Sequence, residues 1–270
     1  PGKIVVRRTD SEPIAITGNG LRFATWSLSG RAPAAQQIRR GAVIRIVNTS
    51  SGWEIRQLPE VESALVAMDP RTGAIKALIG GFDFAKNSFN RITQAYRQPG
   101  SSFKPFIYSA ALEEGVMPNT LISDSPLTLD AGVTGGRAWS PKNYDGSNGP
   151  PLTMRQGLTK SKNLVSVRIL QTVGTQKTQD WAVRFGFPAE RTPPYLTMAL
   201  GAGTVTPMEL ATGYAVFANG GHKINPYIIA LIKDQRGNTI TEVTPPALHE
   251  GMRTISPRNA FVMDTLLNDV

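Results

Sequence analysis

The feature that most limits the fold is a change of hydrophobic period part-way along the chain. Up to about residue 60 no stretch sustains a helical repeat. "KIVVRR", "LRFATWSL" and "GAVIRIV" are short and β-rich, and "NTSSGWEIRQL" reads as a hairpin. From Ser101 onward apolar residues return at helical spacing: Phe103, Phe106, Ile107, Ala110 and Ala111, with Gly115 as a stop. Two periods predict two modules: a small, all-β, barrel-like module over 1–60 and a larger α+β one over 61–270. A chain of 270 residues is long enough for both.

The second module opens on a hairpin. Apolar strands at about 63–69 and 74–80 flank the turn Asp69-Pro70-Arg71-Thr72-Gly73. A turn-rich excursion follows over roughly 120–151; long irregular loops in compact domains are often functional. Helices are expected at 152–160, 164–173 and 175–185. Thr206-Pro207-Met208-Glu209 combines an N-cap, a first-position proline and the glutamate of a capping box. That helix should end at Gly220-Gly221. "PYIIALIKDQRGNTI" reads as a hairpin turning near Gly237, and Ser256-Pro257 starts a last helix. Neither a C-cap glycine nor a polar tail follows Leu266 and Leu267, so the expectation is a chain cut short at Val270.

Composition then narrows the chemistry. With no cysteine, disulfides, thiolate metal sites and a cysteine nucleophile are excluded. The two histidines, His222 and His249, read as turn or surface residues, and no metal or cofactor site is expected. Gly201–Gly203 reads as a tight turn, because a phosphate loop needs a following lysine. A net charge of +9 suits an anionic partner, but no basic stripe with interleaved aromatics marks nucleic-acid binding. No apolar run is long enough for a membrane span.

The chemistry concentrates in "RQPGSSFKPF". Residues three apart share a helical face, so Ser101 and Lys104 can meet, whereas Ser102 has Pro105 at that distance. A proline in the first turn places the helix start here, beside free N–H groups and the positive end of the helix dipole. Such a serine is either a helix cap or an acyl-transfer nucleophile. The second role needs a lysine whose pKa is lowered, which burial and positive potential both favour, and the Ser101 N–H could face an oxyanion. Ser161-Lys162-Asn163 adds a second group. Side chains two apart converge only if the stretch is a loop between helices. Asn163 would then cap the helix starting at Leu164, or hold a substrate amide with both donor and acceptor; Ser161 could pass a proton; Lys162 would point away.

Ser-x-x-Lys followed by Ser-x-Asn resembles the serine penicillin-recognising enzymes. "RQPGSSFKPF", "LTKSKN" and "LGAGTVTPMELATGYAVFANGG" together resemble class A penicillin-binding proteins of the 1A type over roughly 61–270. The resemblance implies a transpeptidase fold with helices packed on an antiparallel sheet, incomplete in this chain. It implies D,D-transpeptidation of peptidoglycan stem peptides, with β-lactams acylating the same serine. By motif position Ser101 would be the nucleophile, Lys104 its base, and Ser161 and Asn163 the proton-relay and substrate-orienting pair. Asn143 and Tyr144 in "SPKNYDG" are secondary candidates for lining the cleft; Trp139 reads as packing. The family's third motif, Lys-Thr/Ser-Gly, is not found: Lys177-Thr178 continues to Gln179, and Arg71-Thr72-Gly73 lies upstream of the nucleophile. A missing C-terminal part would carry it. The resemblance also implies an upstream membrane anchor and glycosyltransferase domain, a periplasmic location, and a docking role for residues 1–60 toward an outer-membrane or regulatory protein.

Two alternatives stand beside this reading. A serine β-lactamase or β-lactam sensor would share Ser101 and Lys104 but hydrolyse or retain the acyl group. A non-catalytic binding module, with the β module as the binding surface and the rest as scaffold, has only the basic charge in its support.

Overall fold

The computed structural model describes residues 2–9, 12–134, 137–245 and 247–270. The chain divides into two compact units, 1–62 and 63–270.

The first unit is built from two antiparallel ribbons. Strand β1 (Lys3–Val6) pairs with β2 (Ile14–Thr17), placing Ile4 opposite Ile16. Between β2 and the second ribbon, Gly18–Ala24 winds into a 3-10 helix that continues as α1 (Thr25–Leu28). Strand β3 (Arg45–Thr49) pairs with β4 (Gly52–Arg56), with Ile46 opposite Ile55. Ile16, Leu21, Ala24 and Ile55 form the buried centre, with Ile4, Ile46 and Trp53 packed around it. Gly20 is there because nothing larger fits: a Cβ would stand 2.3 Å from the Trp53 carbonyl oxygen. "LRFATWSL" is therefore helical, against the β reading of that segment. Its inward residues Leu21, Ala24 and Leu28 recur at three and four, while Phe23 and Thr25, which a strand would place on the same face as Leu21, are exposed.

The second unit opens with the ribbon β5 (Leu65–Met68) and β6 (Ile75–Ile79). In its turn, Asp69 Oδ1 accepts the N–H groups of Arg71 (2.9 Å) and Thr72 (3.2 Å). After the short α2 (Arg91–Gln94) comes α3 (Lys104–Glu113), buried on every side from Lys104 to Ala111. A helix apolar all round belongs in the middle of a core. Its Phe106 is ringed by Phe103, Phe185, Phe187, Tyr214 and Phe217 at 4.7 to 5.4 Å between ring centroids.

Around α3 the excursion carries β7 (Leu121–Ile122) and α4 (Ala131–Thr134), then closes on β8 (Leu152–Thr153), which pairs with β7. Helices α5 (Met154–Thr159), α6 (Asn163–Val173) and α7 (Thr175–Arg184) follow, and α6 and α7 both pack on α3. The Thr206 hydroxyl and Glu209 carboxylate form the capping box of α8 (Pro207–Ala218), which lies against β5. Strands β9 (Leu231–Lys233) and β10 (Thr239–Glu242) make an exposed ribbon turning at Gly237. Helix α9 (Pro257–Leu267), capped by Ser256, packs on α3 and α8. Two side chains bury unexpectedly polar surface against this core: His222 is buried, not at the surface, and Asn259 bonds the hydroxyl of Ser109 on α3 at 2.8 Å.

Candidate active site

The segment that presents Ser101 is held by backbone. Residues 97–100 run beside 201–205: Arg97 and Val205 exchange N–H···O bonds of 3.0 Å, and Gln98 Nε2 donates to the Ala202 carbonyl at 3.2 Å. Gly201 closes a 3-10 turn in the left-handed region at φ +67, and a Cβ there would stand 2.1 Å from the Gly100 carbonyl oxygen. The "LGAGTVTPMEL" stretch thus serves as the partner of the Ser101 segment, and the tight turn read at Gly201–Gly203 is its point of closest approach.

Gly100–Phe103 form a 3-10 turn that runs into α3. Residues three apart eclipse in that geometry, which puts Ser101 and Lys104 on one face. Ser101 is exposed. Neither serine caps a helix: the capping positions are Pro99 and Phe103, with no side-chain bond at either. Ser102 donates its hydroxyl to the Pro99 carbonyl at 2.6 Å, and Tyr214 donates to the Ser102 carbonyl at 2.8 Å. The cap explanation of Ser101 therefore fails, and its hydroxyl has no hydrogen-bond partner among the described residues.

Lys104 is 1% exposed. Its Nζ donates to the Ser161 carbonyl (2.7 Å), Ser161 Oγ (3.0 Å) and Asn163 Oδ1 (2.8 Å). An ammonium has three donors, and all three are placed. The acceptors are neutral, so they hold the cation without cancelling its charge. Burial wins and pushes the pKa down to about 8. The i,i+3 spacing suggested that Lys104 would meet Ser101; its hydrogen bonds instead go across to the 161–163 turn. As an ammonium it can only donate. As an amine it offers a lone pair, to which a hydroxyl can turn.

That turn lies between α5 and α6. Ser161 sits at φ +49, the one non-glycine residue in the left-handed region among those described. This folds the chain so that Ser161 and Asn163, two apart, both face Lys104. Asn163 does not cap α6. Its N–H (2.9 Å) and that of Leu164 (3.3 Å) are accepted by Oδ1 of Asn143, twenty residues earlier. The Asn163 amide is also partly spent, because Nδ2 donates to the Lys142 carbonyl at 2.8 Å. One N–H and one lone pair remain, so a donor and an acceptor are still there for a ligand.

Asn143 itself is buried, with Nδ2 donating to Asp124 Oδ1 and to the Ser147 carbonyl, both at 2.8 Å. Every hydrogen-bonding position of its amide is taken inside the protein, so it backs the turn and does not line the cleft. Tyr144 is fully exposed. Lys162 points away from Lys104, toward Asp145 (3.1 Å), Ser147 Oγ (3.1 Å) and Asp124 (3.6 Å). Hydrogen bonds from Ser147 and Lys162 hold the Asp145 carboxyl down to about 2, and Asp145 raises Lys162 in return. Asp124 and Tyr214 escaped the sequence reading; Gly201 was read as part of a tight turn, but not as the contact of the Ser101 segment.

The segments set aside as third-motif candidates are structural. Lys177 on α7 pairs with Glu114 at 2.7 Å, and Arg71–Gly73 form the β5–β6 turn. Trp139 packs on the core. Among the described residues no three His, Cys, Asp or Glu side chains are grouped to hold a metal ion, and no helix is long and apolar enough to cross a membrane.

Comparison with known proteins agrees with this geometry. Residues 63–270 match the family model described as penicillin binding protein transpeptidase domain, and residues 1–61 match the penicillin-binding protein OB-like domain. Penicillin-binding protein 1A of Neisseria lactamica is 42% identical over 268 residues, covering 99% of this chain and 34% of the relative. The protein of that name from Pseudomonas aeruginosa strain PAO1 is 39% identical over 90% of this chain and 30% of its own length. The chain thus spans about a third of the curated relatives it matches. The crystal structure of penicillin-binding protein 1A from Haemophilus influenzae superposes with a TM-score of 0.87 at 33% identity, over 99% of this chain and 42% of that one. On this evidence the chain belongs to the penicillin-binding protein transpeptidase family, with the OB-like domain ahead of it.

Proposed function

We propose that this chain carries the acylation centre of a peptidoglycan D,D-transpeptidase. The observation that supports it best is the placement of Lys104: a buried lysine of lowered pKa, three residues after a free, exposed serine, bonded to Ser161 and Asn163. Ser101 Oγ attacks the carbonyl of the penultimate D-alanine of a stem peptide. Its proton passes to the neutral Nζ of Lys104, the new C–O bond forms, and the amide C–N bond breaks. The Ser161 hydroxyl, 3.0 Å from Nζ, relays that proton to the departing D-alanine amine. The free N–H and lone pair of Asn163 orient the substrate amide. An amine of a second stem then attacks the Ser101 ester, completing the crosslink and returning a proton to Ser101.

A β-lactam follows the first step, but its leaving nitrogen stays tethered, so the ester persists. Structures of Mycobacterium tuberculosis penicillin-binding protein A are described as imipenem and penicillin G acyl-enzyme complexes. The remaining wall of the cleft, a strand bearing Lys-Thr/Ser-Gly, is assigned to a C-terminal part of the protein. The working location is the periplasmic face of the bacterial inner membrane, with residues 1–60 as a surface for a regulatory or outer-membrane partner.

The test is covalent labelling of the full-length protein with a fluorescent penicillin, followed by peptide mass spectrometry. The expected adduct is on Ser101, absent from Ser101→Ala and retained in Ser102→Ala. An adduct elsewhere refutes the assignment. Loss of the Ser101 adduct within minutes identifies a hydrolase, not a transpeptidase.

A further inference from the structure

We infer that Asp124 and Asn143 are positioning residues that set the acceptors of Lys104 from behind; this rests on the acylation-centre reading. The start of α6 lacks a cap of its own, since Lys162 at the capping position makes no side-chain bond there. Asn143 supplies the cap from the excursion loop by accepting from the N–H groups of Asn163 and Leu164. The orientation of its amide is unambiguous. Two backbone donors face Oδ1, while a carboxylate and a carbonyl face Nδ2.

Behind it stands Asp124, 1% exposed. Its Oδ1 accepts from Asn143 at 2.8 Å, while its Oδ2 has no hydrogen-bond partner among the described residues and only the Lys162 ammonium nearby, at 3.6 Å. A carboxylate this buried and half satisfied is costly for stability, and an apolar side chain would fill the space with less penalty. What an apolar residue could not do is fix the Asn143 amide. The hydrogen bonds therefore form one line: Asp124 to Asn143, Asn143 to the Asn163 backbone, and the Asn163 side chain to Lys104 Nζ. The same anchor bounds the turn in which Ser161 is held at φ +49. Displacing the turn moves all three Lys104 acceptors together.

Misplacing catalytic groups by about 1 Å costs on the order of 100-fold in rate. The experiment measures the first-order acylation constant and burst amplitude of the full-length protein with a fluorescent penicillin. Asn143→Ala should lower the rate constant by about 10- to 100-fold at an unchanged noncovalent dissociation constant. Asp124→Leu should do the same. Asp124→Asn, which keeps an oxygen for Asn143, should recover most of the rate. A purely structural role would instead reduce the burst amplitude, through loss of folded protein, and leave the rate constant of the remainder intact. That result, or Asn143→Ala acylating at the parent rate, overturns the inference. If the parent protein itself forms no Ser101 adduct, the acylation-centre reading falls first and takes the inference with it.

Discussion

The two halves of the site are held in opposite ways. The Ser101 half is held by close packing of backbone: Gly201 lies so near Gly100 that no side chain fits between them. The 161–163 half is held by side-chain polar bonds reaching across the sequence, from Asp124 through Asn143. One half is broken by adding an atom, the other by removing one. Lys104 joins them, since it belongs to the Ser101 helix and spends its donors on the other half. Ser101 is thereby fixed by sterics, and Lys104 by polar bonds that its ammonium and its amine form differently.

The largest effect should come from cutting that join. Lys104→Met keeps the bulk and removes the amine; if Lys104 is the base, acylation of Ser101 should fall by about 10²- to 10⁴-fold with the protein still folded. A loss under tenfold would detach the two halves functionally. The steric half is tested next by Gly201→Ala. The left-handed φ and the 2.1 Å approach to Gly100 both oppose a methyl group. The protein should lose at least about 2 kcal/mol of stability in denaturant unfolding. A neutral outcome would mean that the 97–100 segment is not pinned there.

Stability as a function of pH separates the halves in a third way. Lys104 is lowered from 10.5 to about 8 in the folded protein. Between those values the unfolded chain holds the proton and the folded one does not, so stability should rise with pH there. The slope is about 1.4 kcal/mol per pH unit, levelling off below about 8, where both states are protonated. In Lys104→Met this component should vanish, leaving a difference curve that isolates it. A parallel pair of curves would show that burial does not destabilise the ammonium.

Much of the frame was legible because it is set by short-range rules. The capping box at Thr206 and Glu209, the Ser256 cap and the Asp69–Gly73 turn each depend on residues within a few positions of one another. The Ser101–Lys104 face followed from helical spacing. What escaped was carried by distant partners or by short segments with mixed signals. "LRFATWSL" has the aromatic content of a strand, yet its buried residues keep helical spacing around a glycine that only a close backbone contact explains. Asn163 looked like a cap because asparagine at a helix start usually is one; Asn143 had already taken the N–H groups. Apart from the Ser147 carbonyl four residues on, the partners that turn the asparagine of "SPKNYDG" inward lie about twenty residues away on either side.

Whether the protein holds Lys104 ready to lose its proton near neutral pH is read from the 13Cε resonance of Lys104 against pH in the full-length protein, assigned by its loss in Lys104→Met. A titration midpoint near 8 is the expected result. A midpoint at the ordinary lysine value of about 10.4 would contradict it, leaving an ammonium that can orient Ser161 and Asn163 but cannot take the proton of Ser101.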